Sequence, residues 1–331
     1  MKRFISMIVA VCAFFAVSAQ NSMVTLSHNG ELSFFANLSA FEDAVDAAED
    51  GDILYLSEGI FTSSNTEVTV DKRISIVGCG YKSQILFDID VNMKNNPYVE
   101  GQSFNIDGVN LRTLSFNGKS TNSSDDTNRD NIGYVNISNS RIYKLQDAGL
   151  AGKDLKVSSC YIDKFIPYRV NMNNTIITNS KILQILFNSH DNTLPLTLIN
   201  CNVWGSYYLP KTVISTIIYC PISESGSPAS SFSAGSNNPN IINTLISNES
   251  KTKLPGSAIL QNCYFQDFEF DDNLDLTTDL SGYDGNVVGI HGGESPFSEN
   301  PSVPTVDSAN STVEYDAASN KLKVNITVKA D

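Results

Sequence analysis

Three residues spaced twenty apart, Arg141, Tyr161 and Lys181, set a cation, an aromatic ring and a second cation at one recurring place. Two positions beyond that place lie Tyr143, Asp163 and, two repeats later, Trp204, the only tryptophan. Cations meet carboxylates through charge-assisted hydrogen bonds, and flat rings give sugars a stacking platform. A strip of these residues on one surface would hold an extended sugar polymer. The plainer alternative is ordinary surface, or surface covered by the end of the chain, with Trp204 packed near Tyr207 and Tyr208 under a loop. Cleaving a glycan asks for more. A hydrolase needs two carboxyl groups roughly 5–9.5 Å apart around the scissile bond, and a lyase needs a base supported by cations. Asp163 is the single carboxylate beside the strip, and one group cannot serve as both members of a pair. Asp125 and Asp126 fall in a polar stretch and read as solvated turn residues. Asp271, Asp272 and Asp275 read the same way or as a calcium set, though their spacing matches no known loop signature.

The interval of twenty recurs well beyond this strip. Windows starting at Ile137, Val157, Ile177, Leu198, Ile217, Ile241 and Leu260 each open and close on an apolar residue. Their third place is mostly Asn (139, 179, 200, 243 and 262), and their fourth place holds a small residue. Looser copies start at Ile76 and Ile106. A period near twenty fits a leucine-rich repeat or a parallel β-helix. Ile and Val dominate over Leu, no repeat has room for a helix, and Asn tolerates the left-handed backbone of tight turns. The sequence therefore predicts an all-β coil of three short parallel strands per rung. Cys79, Cys160, Cys201, Cys220 and Cys263 all fall in the fourth place, where they read as small interior residues. Neighbouring rungs lie about 4.8 Å apart, so a Cys201–Cys220 bond is sterically open.

A coil of stacked strands must be capped. Ser39 to Glu42 reads as a capping box opening a helix to about Asp50, with Gly51 as its stop. Phe41, Ala44, Val45 and Ala48 would lie over the first rung. At the other end, Lys321 to Lys329 alternates apolar and polar residues and pairs with Thr312 to Tyr315 as a hairpin over the last rung or its flank. Polar stretches at 117–131 and 223–240 read as loops extending from the coil.

The chain of 331 residues carries 22 Lys+Arg against 36 Asp+Glu and 35 Asn. Such an acidic composition gives no electrostatic footprint for nucleic acid and no affinity for anionic lipid. Lys2 and Arg3, an apolar run from Phe4 to Val17 and small residues at Ser18 and Ala19 form a secretory signal over residues 1–19. The run is too short to span a membrane. The reading divides the chain into that signal, an N-terminal cap with a short helix at 20–51, the coil at 52–297 and a strand or hairpin tail at 298–331.

Gly51 to Phe61, following a short helix, resembles the opening of right-handed parallel β-helix proteins of the pectin-lyase-like class. Asp284 to Gly293 is similar to the closing segment of secreted β-helix proteins common in Bacteroidota, and Gly289–Gly293 has some likeness to the Gly-His-Gly of polygalacturonases. The resemblance implies a right-handed coil and export to the cell surface, the medium or the periplasm. Its class spans lyases, hydrolases, tailspikes and adhesin-like proteins. Joined to the lone Asp163, it leads to a non-catalytic binder of polysaccharide or cell-surface glycan. A polysaccharide lyase or glycoside hydrolase is the alternative. No cofactor is expected beyond calcium at Asp271, Asp272 and Asp275.

Overall fold

The computed structural model describes residues 22–93, 95–116, 131–146, 153–167, 174–186, 196–205, 210–219, 238–251, 254, 256–271 and 275–298, and the backbone of four short strands between 305 and 329. Residues 1–19, Asp125, Asp126, Cys220 and Asp272 lie outside these, as does most of both polar loops. The fold is a parallel β-helix, and among the described residues it has two long sheets rather than three. The first sheet stacks β3 (Ile53–Leu56), β6 (Ser75–Val77), β8 (Ser103–Asp107), β10 (Tyr134–Ser138), β12 (Asp154–Ser158) and β14 (Asn174–Thr178). It continues through β16 (Leu196–Ile199), β18 (Thr212–Ile214), β20 (Asn240–Ile242) and β22 (Ile259–Gln261). The second stacks β4 (Gly59–Phe61), β7 (Ser83–Val91), β9 (Asn110–Ser115), β11 (Arg141–Gln146), β13 (Tyr161–Ile166) and β15 (Lys181–Ile185). It ends with β17 (Asn202–Trp204), β19 (Ile217–Tyr219), β21 (Leu245–Ile246) and β23 (Tyr264–Phe265), while β5 (Glu67–Val70) joins beside β7.

Strand alternation fills the coil. Leu54, Ile76, Ile106, Ile137, Val157, Ile177, Leu198, Val213 and Ile241 stack in register and are all buried. A second column, Ile85, Leu111, Ile142, Ile162, Ile182, Val203, Ile218 and Ile246, faces it from the other sheet. Each such side chain contributes about 1.5–3 kcal/mol by leaving water. One window is corrected here. Val213, not Ile217, follows Leu198, and Ile217 belongs to the outward place of the second sheet. Thr216 therefore holds the fourth place that the sequence pattern gives to Cys220.

The corner between the sheets explains the third and fourth places. Asn139, Ser159, Asn179, Asn200, Ser215, Asn243 and Asn262 all have positive φ, the left-handed conformation that turns one strand into the next. The amide that follows would be stranded, and a hydroxyl from the adjoining rung receives it. Val109 N donates to Ser140 Oγ, Cys160 N to Ser180 Oγ and Cys201 N to Thr216 Oγ1, while each hydroxyl donates to a carbonyl two residues back. The hydroxyls among the small residues of this place thus have a bonding reason.

The N-terminal cap holds more than a helix. β1 (Val24–His28) and β2 (Glu31–Phe35) form an antiparallel hairpin laid on β3. Its turn is Asn29-Gly30, both at positive φ, a strong hairpin signal that the sequence reading passed over. Helix α1 runs from Ala40 to Ala47, stops three residues short of Asp50 and buries Phe41, Ala44 and Val45. Its Ser39 makes no side-chain cap. Glu42 instead accepts from Ser63 Oγ and Asn65 Nδ2, so the capping box does not form. A second, one-turn helix, α2, spans Asn248–Lys251. In the tail, β25 (Thr312–Asp316) pairs with β26 (Lys321–Asn325) as the alternation predicts, and β24 (Thr305–Val306) pairs with β27 (Val328–Lys329). The rungs end at Phe265. The chain then returns along the coil.

Candidate functional site

The fifth place of the repeat builds one outward column on the second sheet. In register it reads Asn110, Arg141, Tyr161, Lys181, Asn202, Ile217, Leu245 and Tyr264. The Arg141 guanidinium carbon lies 4.7 Å from the centre of the Tyr161 ring. Lys164 lies 5.1 Å from the Tyr143 ring and donates to its hydroxyl at 3.3 Å. Arg112 on β9 bonds Asp88 at 2.7 Å, and Lys144 stands beside Tyr143 on β11. Arg112, Arg141 and Tyr143 are exposed. Four cations and two carboxylates thus share this open part of the face, on a chain whose net charge is −14.

The two carboxyls differ. Burial raises Asp163 from its ordinary value, and the nearby Arg141 and Lys164 charges only partly offset this. Burial pushes Asp88 the same way, but the hydrogen bonds from Arg112 and Thr113 and the charges of Arg112 and Lys144 bring it below its ordinary value. Arg112 is raised in turn by that same bond.

Lys181 does not continue the open strip. It is 1% exposed, its ammonium bonds Asp275 Oδ2 at 2.9 Å, and the Phe297 ring lies 5.1 Å away. Trp204 is covered as well, 4.3 Å from the Tyr219 ring and 5.1 Å from Phe270. The returning chain, residues 266–271 and 275–297, buries Lys181 and partly covers Trp204 as it makes two passes along the coil. On the first pass Phe268 and Phe270 pack on Tyr219 and Trp204, and Asp275 ends it on Lys181. On the second, Tyr283 N bonds Asn243 Oδ1, Gly289 N bonds the Ser215 carbonyl and Ile290 N bonds Asn202 Oδ1. Asn179 Nδ2 then donates to the Gly292 carbonyl at 2.7 Å, and Phe297 closes the pass on Lys181. The corner Asn residues thus hold this strap as well as shaping the turns.

This placement corrects two expectations. Lys181 and Trp204 belong to the strap contact, leaving Arg141, Tyr161 and Asp163 on the open face. Asp275 serves Lys181 with one oxygen and is spanned from below by Asp271, whose Oδ1 accepts the Asp275 amide at 2.9 Å. Asp275 is thus half of an ion pair with Lys181, while Asp272 of the expected calcium set lies outside the described residues. Among the described residues no group of three His, Cys, Asp or Glu is placed to hold a metal ion. The Gly289–Gly293 stretch is explained by close approach. A Cβ at Gly289, where φ is +77°, would lie 2.4 Å from Asn202 Oδ1, and one at Gly293 2.3 Å from Asn200 Nδ2. Within it, His291 pairs with Asp279 at 2.7 Å.

Cys160 and Cys201 are free and wholly buried, and burial pushes both thiols up to about 12. Cys79 and Cys263 are free and only half-buried, so the interior reading holds fully for two of the four described cysteines. Sequence reasoning also missed two clamps near the N-terminal cap. Arg73 is buried and bonds Asp50, Asn96 and the Asn131 carbonyl. His28 bonds both oxygens of Asp52, which raises its imidazole, beside a groove lined by Ser27, Glu49 and Asp50. Fold and face together define a parallel β-helix protein with an open cationic-aromatic surface. No protein-family model matches the chain, and no curated protein is similar to it. No described helix is long and apolar enough to cross a membrane.

Proposed function

We propose that this is an exported, non-catalytic β-helix protein that binds an extended acidic polysaccharide, free or on a cell surface, along the open half of the second sheet. The observation that carries the reading is the exposed Arg141 stacked on Tyr161, with Lys144 and Lys164 beside them. Flat rings take sugar faces and the cations take carboxylate or sulfate groups. Residues 1–19, by their resemblance to a secretory signal, would deliver the chain outside the cell or to the periplasm.

The likeness to the pectin-lyase-like class keeps an enzymatic alternative in view, and Asp163, whose carboxyl burial raises from its ordinary value, would be the acid of a hydrolytic pair. The other carboxyl of this face, Asp88, is ionised as the second member of such a pair must be, but its charge is engaged by the 2.7 Å bond from Arg112. Electrophoresis through gels containing polygalacturonate, alginate or chondroitin sulfate tests the reading. Retention is expected for at least one polymer, weakened about tenfold by Tyr161→Ala or Arg141→Ala. Unchanged retention in both variants rejects the face. Release of reducing or unsaturated ends rejects the non-catalytic reading.

A further inference from the structure

The strap has a composition unlike the coil it covers. Residues 266–297 contain eight carboxylates and no Lys or Arg, and indeed none occurs between 254 and 320. Its described parts meet the column at Lys181 and Trp204, where the column still has the chemistry of a binding face, with Lys181 in line with Arg141 and Tyr161, and Trp204 beside Tyr219. Asp275 places on Lys181 the same carboxylate-to-ammonium bond that an acidic sugar would make. Its other oxygen is buried and has no hydrogen-bond partner among the described residues, an arrangement that leaves the contact poorly satisfied. Phe268 and Phe270 meanwhile occupy the aromatic platform. Both passes converge on Lys181, the rung where the open face stops.

We propose that the strap is a tethered internal competitor for the acidic polymer. It fills the continuation of the binding face from Lys181 onward, and a polymer long enough to reach past Tyr161 displaces it. The inference rests on the reading of the open face given above. It adds a second, covered set of subsites and a length threshold for the ligand. Apparent affinity would then be lowered by the fraction of molecules in which the strap is closed.

The single tryptophan reports on the strap without any ligand, because Trp204 touches Phe270. Two variants loosen it differently. Asp275→Asn removes the competing charge, and Gly289→Ala keeps every charge but drives a Cβ into Asn202 Oδ1. Both should make Trp204 more accessible to acrylamide quenching in the full chain. Both should also strengthen binding of polygalacturonate about tenfold while leaving short oligogalacturonides unchanged. In the unaltered protein, polygalacturonate but not the short oligomers should raise Trp204 quenching. A gain from Asp275→Asn alone would overturn the proposal, since removing one negative charge helps any anion bind. Loosened Trp204 with no gain in affinity would overturn it too. If retention falls in Tyr161→Ala but responds to neither strap variant, only the strap inference fails. If neither the unaltered chain nor the strap variants bind polymer, both readings fail. Should the variants not fold, the polymer-induced change at Trp204 in the unaltered protein decides alone, its absence overturning the proposal.

Discussion

The two halves of the second sheet share one interior and differ only outside. Ile142 and Ile162 in the open half are as deeply buried as Ile182 and Ile218 in the strapped half. Above them the same outward column changes from Arg141 and Tyr161 to Lys181, Asn202, Ile217 and Leu245. A repeat thus fixes where a side chain points, while its partner in space decides whether that direction meets water. The apolar character of Ile217 and Leu245 records the cover. With Val288, Phe268, Phe270, Leu276 and Leu280 they form a small core of their own, outside the coil.

The largest effect should be blind to the difference. Ile162→Ala and Ile182→Ala each leave a cavity in the shared interior and should cost about 2–5 kcal/mol in urea unfolding. A clear gap between them would break the comparison at its base. The next substitution should separate the halves. Lys181→Ala leaves Asp275 uncompensated and should cost about 2–4 kcal/mol, whereas Lys144→Ala on the open half should stay within about 0.5 kcal/mol. Within the strap, Gly289→Ala should cost about 2 kcal/mol and Gly285→Ala about 1 kcal/mol. Both have positive φ, but only Gly289 meets atoms where a Cβ would stand. Melting temperatures of the two variants check this.

Two gentler probes sharpen the picture. A thiol reagent should label Cys79 and Cys263 in the native protein and reach Cys160 and Cys201 only after unfolding, as mass spectrometry of the digested protein would show. The smallest effect is electrostatic and confined to the open half. Burial raises Asp163, so the folded chain takes up its proton as pH falls through a window shifted up from that of an ordinary Asp. The strip then loses a negative charge, and retention of an acidic polymer should rise about two- to threefold across that window. Asp163→Asn should remove the dependence. For stability the sign is the same. The folded state binds this proton more readily than the unfolded chain, so Asp163 favours folding as pH falls.

Much of the coil was legible because its signal is periodic and local. Ile137, Val157 and Ile177 stack where an interval of twenty puts them, and the corner Asn residues have the left-handed backbone expected of them. Ile217 was misassigned because Cys220 imitates the small fourth place, while a shortened rung had already set Thr216 there. Asn29-Gly30 was readable from two residues alone. The fate of Lys181 was not, since its partner Asp275 is 94 positions away and no local pattern joins them. The one sequence trace was the run of apolar residues at 217 and 245 in an outward column.

A stack of rungs in which each hydroxyl serves only its neighbour behaves as a one-dimensional array, where opening can begin at an end and travel rung by rung. The far end invites this, for Leu260 continues the buried column yet is 40% exposed. The strap changes the statistics. It ties Asn243, Ser215, Asn202 and Asn179, on four successive rungs, to one segment more than a hundred residues from the last of them. Those rungs can no longer open singly. They should melt as one cooperative block, with uniform amide protection, while the rung bearing Ile259–Gln261 frays ahead of them. Removing the strap would restore a graded, stepwise transition to a fold that otherwise keeps its rungs independent.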